Sequence, residues 1–149
     1  MFPDRDALKE LSRPAGEISY KTMSGLSLAF IGDAVYEIMI REYILSLADA
    51  RVQALHRATV RMVNASYQAA AIELLAPELT EEETAVYKRG RNANSAHTPK
   101  NKSEAEYHKA TGFEALFGYL YLAGRYDRLR TLFDRIIAAE REKGETDEK

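Results

Sequence analysis

No cysteine occurs in the 149 residues, so disulfides and thiolate metal sites are excluded. That absence suits a reducing cytosol, and a cytoplasmic location is the expectation. No apolar run approaches the roughly 20 residues of a membrane span. The start, Met1-Phe2-Pro3-Asp4-Arg5-Asp6, lacks the pattern of a signal peptide, so no membrane role is expected. No stretch alternates convincingly between apolar and polar residues, which argues against strands. Internal repeats, long linkers and low-complexity blocks are missing, as are a nucleophile elbow and a Walker loop. His56, His97 and His108 lack metal-ligand spacing and read as structural or surface groups, with His97 also a candidate RNA contact. A strong charge of one sign is missing too. The net charge is −2, so the distribution of charge has to carry any argument about charged partners.

What remains is a chain of ordinary globular composition, 46% hydrophobic and 30% charged, and long enough for one domain with a real core. Helical periodicity dominates, and the fold class is all-α. A polar arm covers residues 1–20, the domain runs over 21–143, and the polar tail 144–149 is expected to be disordered. Thr22 or Ser24 caps a helix over about 24–47. Asp49 is a plausible cap for the next helical region, 50–76, read as one helix or as two with a break near Arg57–Thr59, and ended by Pro77. Thr80 and Glu83 form a capping box for a helix to about Arg89. Ser103 and Glu106 form a second, opening a helix to Ala123 that Gly124 closes. A last amphipathic helix spans about Tyr126 to Glu142.

Two of these helices carry an acid inside an apolar stretch. In Leu26–Ile40 it is Asp33; in Ala110–Leu120 it is Glu114. A carboxylate on such a helix is costly to bury without compensation. If Asp33 and Glu114 meet, they offer the oxygen ligands of a hard cation such as Mg²⁺. The alternative is that each acid pairs with an Arg or caps a helix end. Glu37, one turn beyond Asp33, is either a further ligand or the partner of Arg41, four residues on; the salt bridge is the better reading. Gly32 and Gly118 stand inside helical patterns at a propensity cost of about 1 kcal/mol each. A small residue there permits close approach of another helix or of a ligand.

Basic residues concentrate elsewhere. The segment 88–102 holds Lys88, Arg89, Arg91, Lys100 and Lys102, with His97 and no acid. Asn92, Asn94, Ser95 and Thr98 add hydrogen-bond donors suited to phosphate or 2′-OH groups. Between Ala50 and Ile72 there is again no acid, but there are Arg51, Arg57 and Arg61. The competing reading of 88–102 is a solvated surface loop.

These motifs resemble a known family. Phe30-Ile31-Gly32-Asp33-Ala34-Val35 resembles the signature helix of the ribonuclease III catalytic domain. Phe113-Glu114-Ala115-Leu116-Phe117-Gly118 resembles its second acidic motif. Lys88-Arg89-Gly90-Arg91-Asn92-Ala93 and Thr98-Pro99-Lys100-Asn101 are similar to segments of its short bacterial branch, Mini-ribonuclease III. The resemblance covers about residues 20–140. It implies an all-α endonuclease domain that acts as a homodimer on double-stranded RNA, without a separate double-stranded-RNA-binding domain. It also implies maturation of 23S ribosomal RNA precursor ends, with a ribosomal protein as a substrate-shaping accessory. By position, Asp33 and Glu114 match the catalytic, metal-binding acids, with Mg²⁺ as cofactor. RNA grip then falls to Arg57, Arg61, Lys88, Arg89, Arg91, Asn92, Asn94, Ser95, Thr98, Lys100 and Lys102. The dimer face is expected around Leu26, Leu28, Phe30, Ile31 and Val35. Larger relatives place further acids where this chain has Leu26, Ala29 and Thr111. Those departures keep open a catalytically inactive RNA-binding domain; a purely structural dimerisation module is the third reading.

Overall fold

The computed structural model describes residues 18–93 and 101–147, with side chains through Gly144. Among the described residues the fold comprises six α-helices and no strand. They are α1 (Gly25–Leu47), α2 (Val52–Val63), α3 (Ala65–Leu75), α4 (Glu81–Arg91), α5 (Lys102–Leu122) and α6 (Tyr126–Asp147). A single 3₁₀ turn, Ala76–Glu78, carries Pro77 between α3 and α4.

The helix ends show which local signals prevailed. Ser24 caps α1 by accepting from the Ser27 N–H at 3.1 Å. Thr80 and Glu83 form the expected box: Thr80 Oγ1 accepts from the Glu83 N–H, and Glu83 Oε1 accepts from the Thr80 N–H. Gly124, at φ 72°, follows the end of α5. Other ends differ from expectation. α2 begins after Arg51 with no side-chain cap, not at Asp49. The break in the second helical region falls at Asn64, not near Arg57–Thr59. Asn64 ends α2 and caps α3, its Oδ1 accepting from the Tyr67 N–H at 2.9 Å. Asn is a strong N-cap residue, and that outweighs the Thr59 hydroxyl, which is absorbed by the Leu55 carbonyl inside α2. α5 starts from Asn101, two residues before Ser103, again because Asn is an equal or better cap. α6 runs through Gly144 to Asp147, where a disordered tail was expected. One glycine costs only about 1 kcal/mol, too little to end a helix that no proline follows.

α5 is the central helix. It packs against α1, α3, α4 and α6. Phe113, Ala115, Leu116, Phe117 and Leu120 have no exposed surface at all. Tyr36 ties three helices together. Its ring stands edge-on to Phe113 and Phe117 of α5, at 4.9 and 5.6 Å between centroids. Its hydroxyl donates to the Met62 carbonyl at the end of α2, 2.7 Å away. Such edge-to-face pairs add specificity to the burial of large aromatic area.

At the other end, α6 braces α4 through a buried ion pair. Glu83 is completely buried and accepts from Arg128 Nε and Nη2 at 2.8 and 2.9 Å. Burial pushes the Glu83 carboxyl up, but the Arg128 hydrogen bonds and the Thr80 N–H, with the charges of Arg128 and Arg125, outweigh it. The carboxyl is held below its usual range.

α1 and α5 run in opposite directions, with Leu28 near Gly118, Gly32 near Glu114 and Tyr36 near Phe113. A Cβ on Gly32 would lie 1.6 Å from the Glu114 carbonyl oxygen, and one on Gly118 would lie 2.0 Å from the Leu28 carbonyl oxygen. Both collisions are with backbone, so only glycine allows this crossing.

Candidate metal centre at the helix crossing

The glycine crossing puts α1 and α5 close enough for their two acids to meet. Asp33 follows Gly32 directly and lies on the solvent-exposed side of α1. Glu114 is half-buried on α5 and reaches the Asp33 carboxyl within hydrogen-bonding distance. Asp33 is exposed, so it avoids the cost that burial on so apolar a helix would carry. It lies where solvent and a substrate can reach it.

Burial drives the Glu114 carboxyl up, and the hydrogen bond and charge of Asp33 push it further, to about 8; the neighbouring Gln68 amide pulls the other way. Among the described residues no Arg, Lys or His forms an ion pair with Asp33 or Glu114. Two carboxyls that repel each other, with no protein cation between them, fit a divalent ion that supplies the missing positive charge. No set of three or more His, Asp or Glu converges among the described residues, so the pair is the whole acidic donor set there.

This pair has a thermodynamic signature. In the unfolded chain Glu114 reverts to its ordinary 4.5; folded and metal-free it holds its proton to about 8. Between those values the folded state binds a proton that the unfolded state has released. Raising the pH through this window must therefore destabilise the metal-free fold. In chelator, the melting temperature is expected to fall from pH 5 to pH 8 relative to Glu114→Gln, which cannot ionise there. Parallel pH dependences of the two proteins would contradict the raised value.

The other candidate residues scatter. Glu37 pairs with Arg41, Oε2 to Nη2 at 3.1 Å, and is not brought into the carboxylate pair. Leu26 is exposed at the head of α1, and Ala29 is buried. Thr111 is buried and spends its hydroxyl on the Tyr107 carbonyl at 3.0 Å. Arg57 is exposed on α2. Arg61 forms an ion pair with Glu140 of α6, which also accepts from the Tyr67 hydroxyl at 2.9 Å. Lys88 is exposed near the end of α4, and Lys102 opens α5. Arg91 donates from Nε to Asn92 Oδ1 at 3.2 Å and lies over the Tyr87 ring. Arg89 is turned inward: Nη1 donates to the Lys21 carbonyl at 3.0 Å, while Nε and Nη2 are shielded and unpartnered. Asn94, Ser95, His97, Thr98 and Lys100 lie outside the described residues.

The expected dimer face is redistributed by helical geometry. Leu28 and Val35 are buried in the chain's own core, and Ile31 packs against Gly118. Leu26, Phe30 and Ile38 point outward instead, with Phe30 83% exposed.

Gln68 was missed. It is 2% exposed on α3, its side-chain nitrogen completes no hydrogen bond of normal geometry, and its amide lies close enough to Glu114 to lower the pKa of that carboxyl. The signal was available: Gln68 shares helical spacing with the buried Ala71, Ile72 and Leu75, a polar residue at a core position.

The Ribonuclease III domain family matches residues 26–125, which contain both acids and the crossing. The chain belongs to the ribonuclease III family. Among its relatives, the Mini-ribonuclease 3 of Enterococcus faecalis is 47% identical over 132 residues, covering 87% of this chain and 98% of that one. The Mini-ribonuclease 3 of Symbiobacterium thermophilum is 51% identical over 108 residues, covering 72% and 83%. A crystal structure of a protein from Fusobacterium nucleatum superposes with a TM-score of 0.71 at 31% identity, covering 82% of this chain and 98% of that one. This ribonuclease III chain is an all-α endoribonuclease of that type. No described helix is long and apolar enough to cross a membrane.

Proposed function

We propose that the protein is a Mg²⁺-dependent endoribonuclease that cuts double-stranded RNA as a homodimer and matures the ends of 23S ribosomal RNA precursor, a ribosomal protein shaping the substrate. The observation that carries this reading is the Asp33–Glu114 pair, with Asp33 exposed, Glu114 half-buried and no cationic partner among the described residues. Mg²⁺ bound there would supply a water of lowered pKa and charge to offset that of the phosphodiester transition state. Asp33 presents its carboxylate from the outer side of α1, and Glu114 presents its own from the wall of α5. The glycine crossing fixes the separation of the two main chains. The precursor role is consistent with the name of the Mini-ribonuclease 3 relatives.

Arg57, Lys88 and Lys102 are exposed and suited to phosphates, with Arg91 and Asn92 close to Lys88 in the chain. Arg61 and Arg89 are engaged within the protein and contribute less directly. A-form RNA is read mainly through shape, phosphate and 2′-OH contacts, so weak sequence preference is the physical default. The test is incubation of a long RNA duplex with protein and Mg²⁺, followed by mapping of the ends on both strands. Paired, staggered cuts are expected. Binding without cleavage would favour an inactive RNA-binding domain instead.

The homodimer is supported by the outward stripe of Leu26, Phe30 and Ile38, spaced four and eight residues apart on α1. An apolar stripe on a catalytic helix suits a two-fold contact that sets two sites across one duplex. Phe30→Glu is expected to convert a dimer into a monomer in sedimentation velocity at micromolar concentration. A wild type that sediments as a monomer, or a variant that stays dimeric, would contradict this face.

A further inference from the structure

The interior side of the carboxylate pair holds a group that the reaction as described leaves unused. Gln68 projects from α3, which packs against α5, and only 2% of it is exposed. Its Nε2 is shielded from solvent and completes no hydrogen bond of normal geometry, yet it lies close enough to the Glu114 carboxyl to pull the pKa of that group down. A buried donor without an acceptor is rare and expensive. At that position on the buried stripe of α3 an aliphatic side chain would pack without such a cost. Among the described residues, the Glu114 carboxyl is an acceptor beside it.

We propose that Gln68 is a positioning residue for the metal-binding pair: its Nε2–H donates to the Glu114 carboxylate when that group holds a divalent cation. This rests on the reading of Asp33 and Glu114 as cation ligands. An ionised carboxylate offers about four acceptor sites on two oxygens. Asp33 and the cation approach Glu114 from the solvent side, because Asp33 is exposed. Gln68 approaches from the core, because it is buried. A donor there stops the carboxylate from rotating away from the cation, and a hydrogen bond to a charged acceptor is among the stronger ones.

The neutrality of the amide matters. A Lys or Arg in this place would also orient Glu114, but its charge would compete with the cation for the same carboxylate. A Gln orients without neutralising. That is the usual task of outer partners of metal ligands, whose loss costs about 10–100-fold in metal affinity or activity.

The test uses the folded, full-length protein. The chain has two glutamines, Gln68 and the exposed Gln53. With ¹⁵N-labelled glutamine side chains, comparison with Gln53→Glu assigns the Gln68 amide pair. Addition of Mg²⁺ is expected to shift one Gln68 amide proton downfield and slow its exchange, and to do neither in Glu114→Gln. Calorimetric titration with Mn²⁺ is expected to show about 10–100-fold weaker binding by Gln68→Met. That variant keeps the volume and removes the donor, and its affinity for an RNA duplex without divalent ions should be unchanged. A wild type that takes up Mg²⁺ with the Gln68 amide unmoved would overturn the role of Gln68 while sparing the metal pair. So would a Gln68→Met protein with wild-type Mn²⁺ affinity. A wild type that takes up neither ion would overturn both. The amide measurement is made on unsubstituted Gln68, so it decides even if Gln68→Met fails to fold.

Discussion

Asp33→Asn is expected to lower the rate of duplex RNA cleavage by on the order of 10³-fold or more, the scale of removing a metal's stabilisation of developing charge. Asn keeps the shape of the side chain and removes half of the negative charge that attracts the cation. Asp33 is exposed, so the fold should be little affected. Duplex binding should be retained or slightly tightened, because a negative charge facing the phosphates is removed. Single-turnover cleavage of a labelled duplex, with a gel-shift assay in chelator, separates the two effects. Glu114→Gln should behave likewise in cleavage. A variant that loses binding and cleavage in parallel would show that Asp33 serves the RNA interface and not the chemistry.

Gly32→Ala is the second large effect. The new Cβ would stand 1.6 Å from the Glu114 carbonyl oxygen, 2.6 Å from its carbonyl carbon and 2.7 Å from the Gly118 nitrogen. No side-chain rotation relieves a clash with backbone, so α1 and α5 must separate. Overpacking typically costs about 1–3 kcal/mol, and a clash this deep with backbone belongs at the top of that range, about 3 kcal/mol. For a chain of this size that lowers the melting temperature by roughly 6–12 °C. Separation also moves Glu114 away from Asp33, so cleavage should fall further than stability alone explains. Gly144→Ala is the matched control. Nothing lies within 4 Å of a Cβ there, and an exposed helical Gly→Ala change should be neutral or slightly stabilising. Equal melting temperatures for Gly32→Ala and wild type would show that the crossing can relax.

The helical class was legible because helical spacing of apolar residues persists along the chain, and Ser24 and the Thr80–Glu83 box mark their ends with local chemistry. The breaks at Asn64 and Asn101 were equally local, but each competed with nearby Asp, Ser or Thr residues of similar capping strength. The acids Asp33 and Glu114 stood out against apolar helices. Their approach to one another depends on Gly32 and Gly118, whose spacing suggests a contact but does not name its partner. The outward turn of Phe30 was not legible, since Leu28 and Val35 are just as apolar and only packing shows which face is covered. Arg61 and Arg89 looked like surface cations, because nothing near them in sequence shows Glu140 or the Lys21 carbonyl waiting in space. Gln68 was hidden by its neutrality: it is unremarkable by charge, and only its helical spacing with Ala71, Ile72 and Leu75 pointed to a core position.

The most direct test of the account is calorimetric titration of Mg²⁺, at pH 8 and without RNA, into wild type, Asp33→Asn and Glu114→Gln. The account predicts uptake by the wild type and loss of that uptake in each single variant, because the two carboxylates share one ion. Uptake of Mg²⁺ with wild-type affinity by either variant would contradict a joint site at the crossing of α1 and α5.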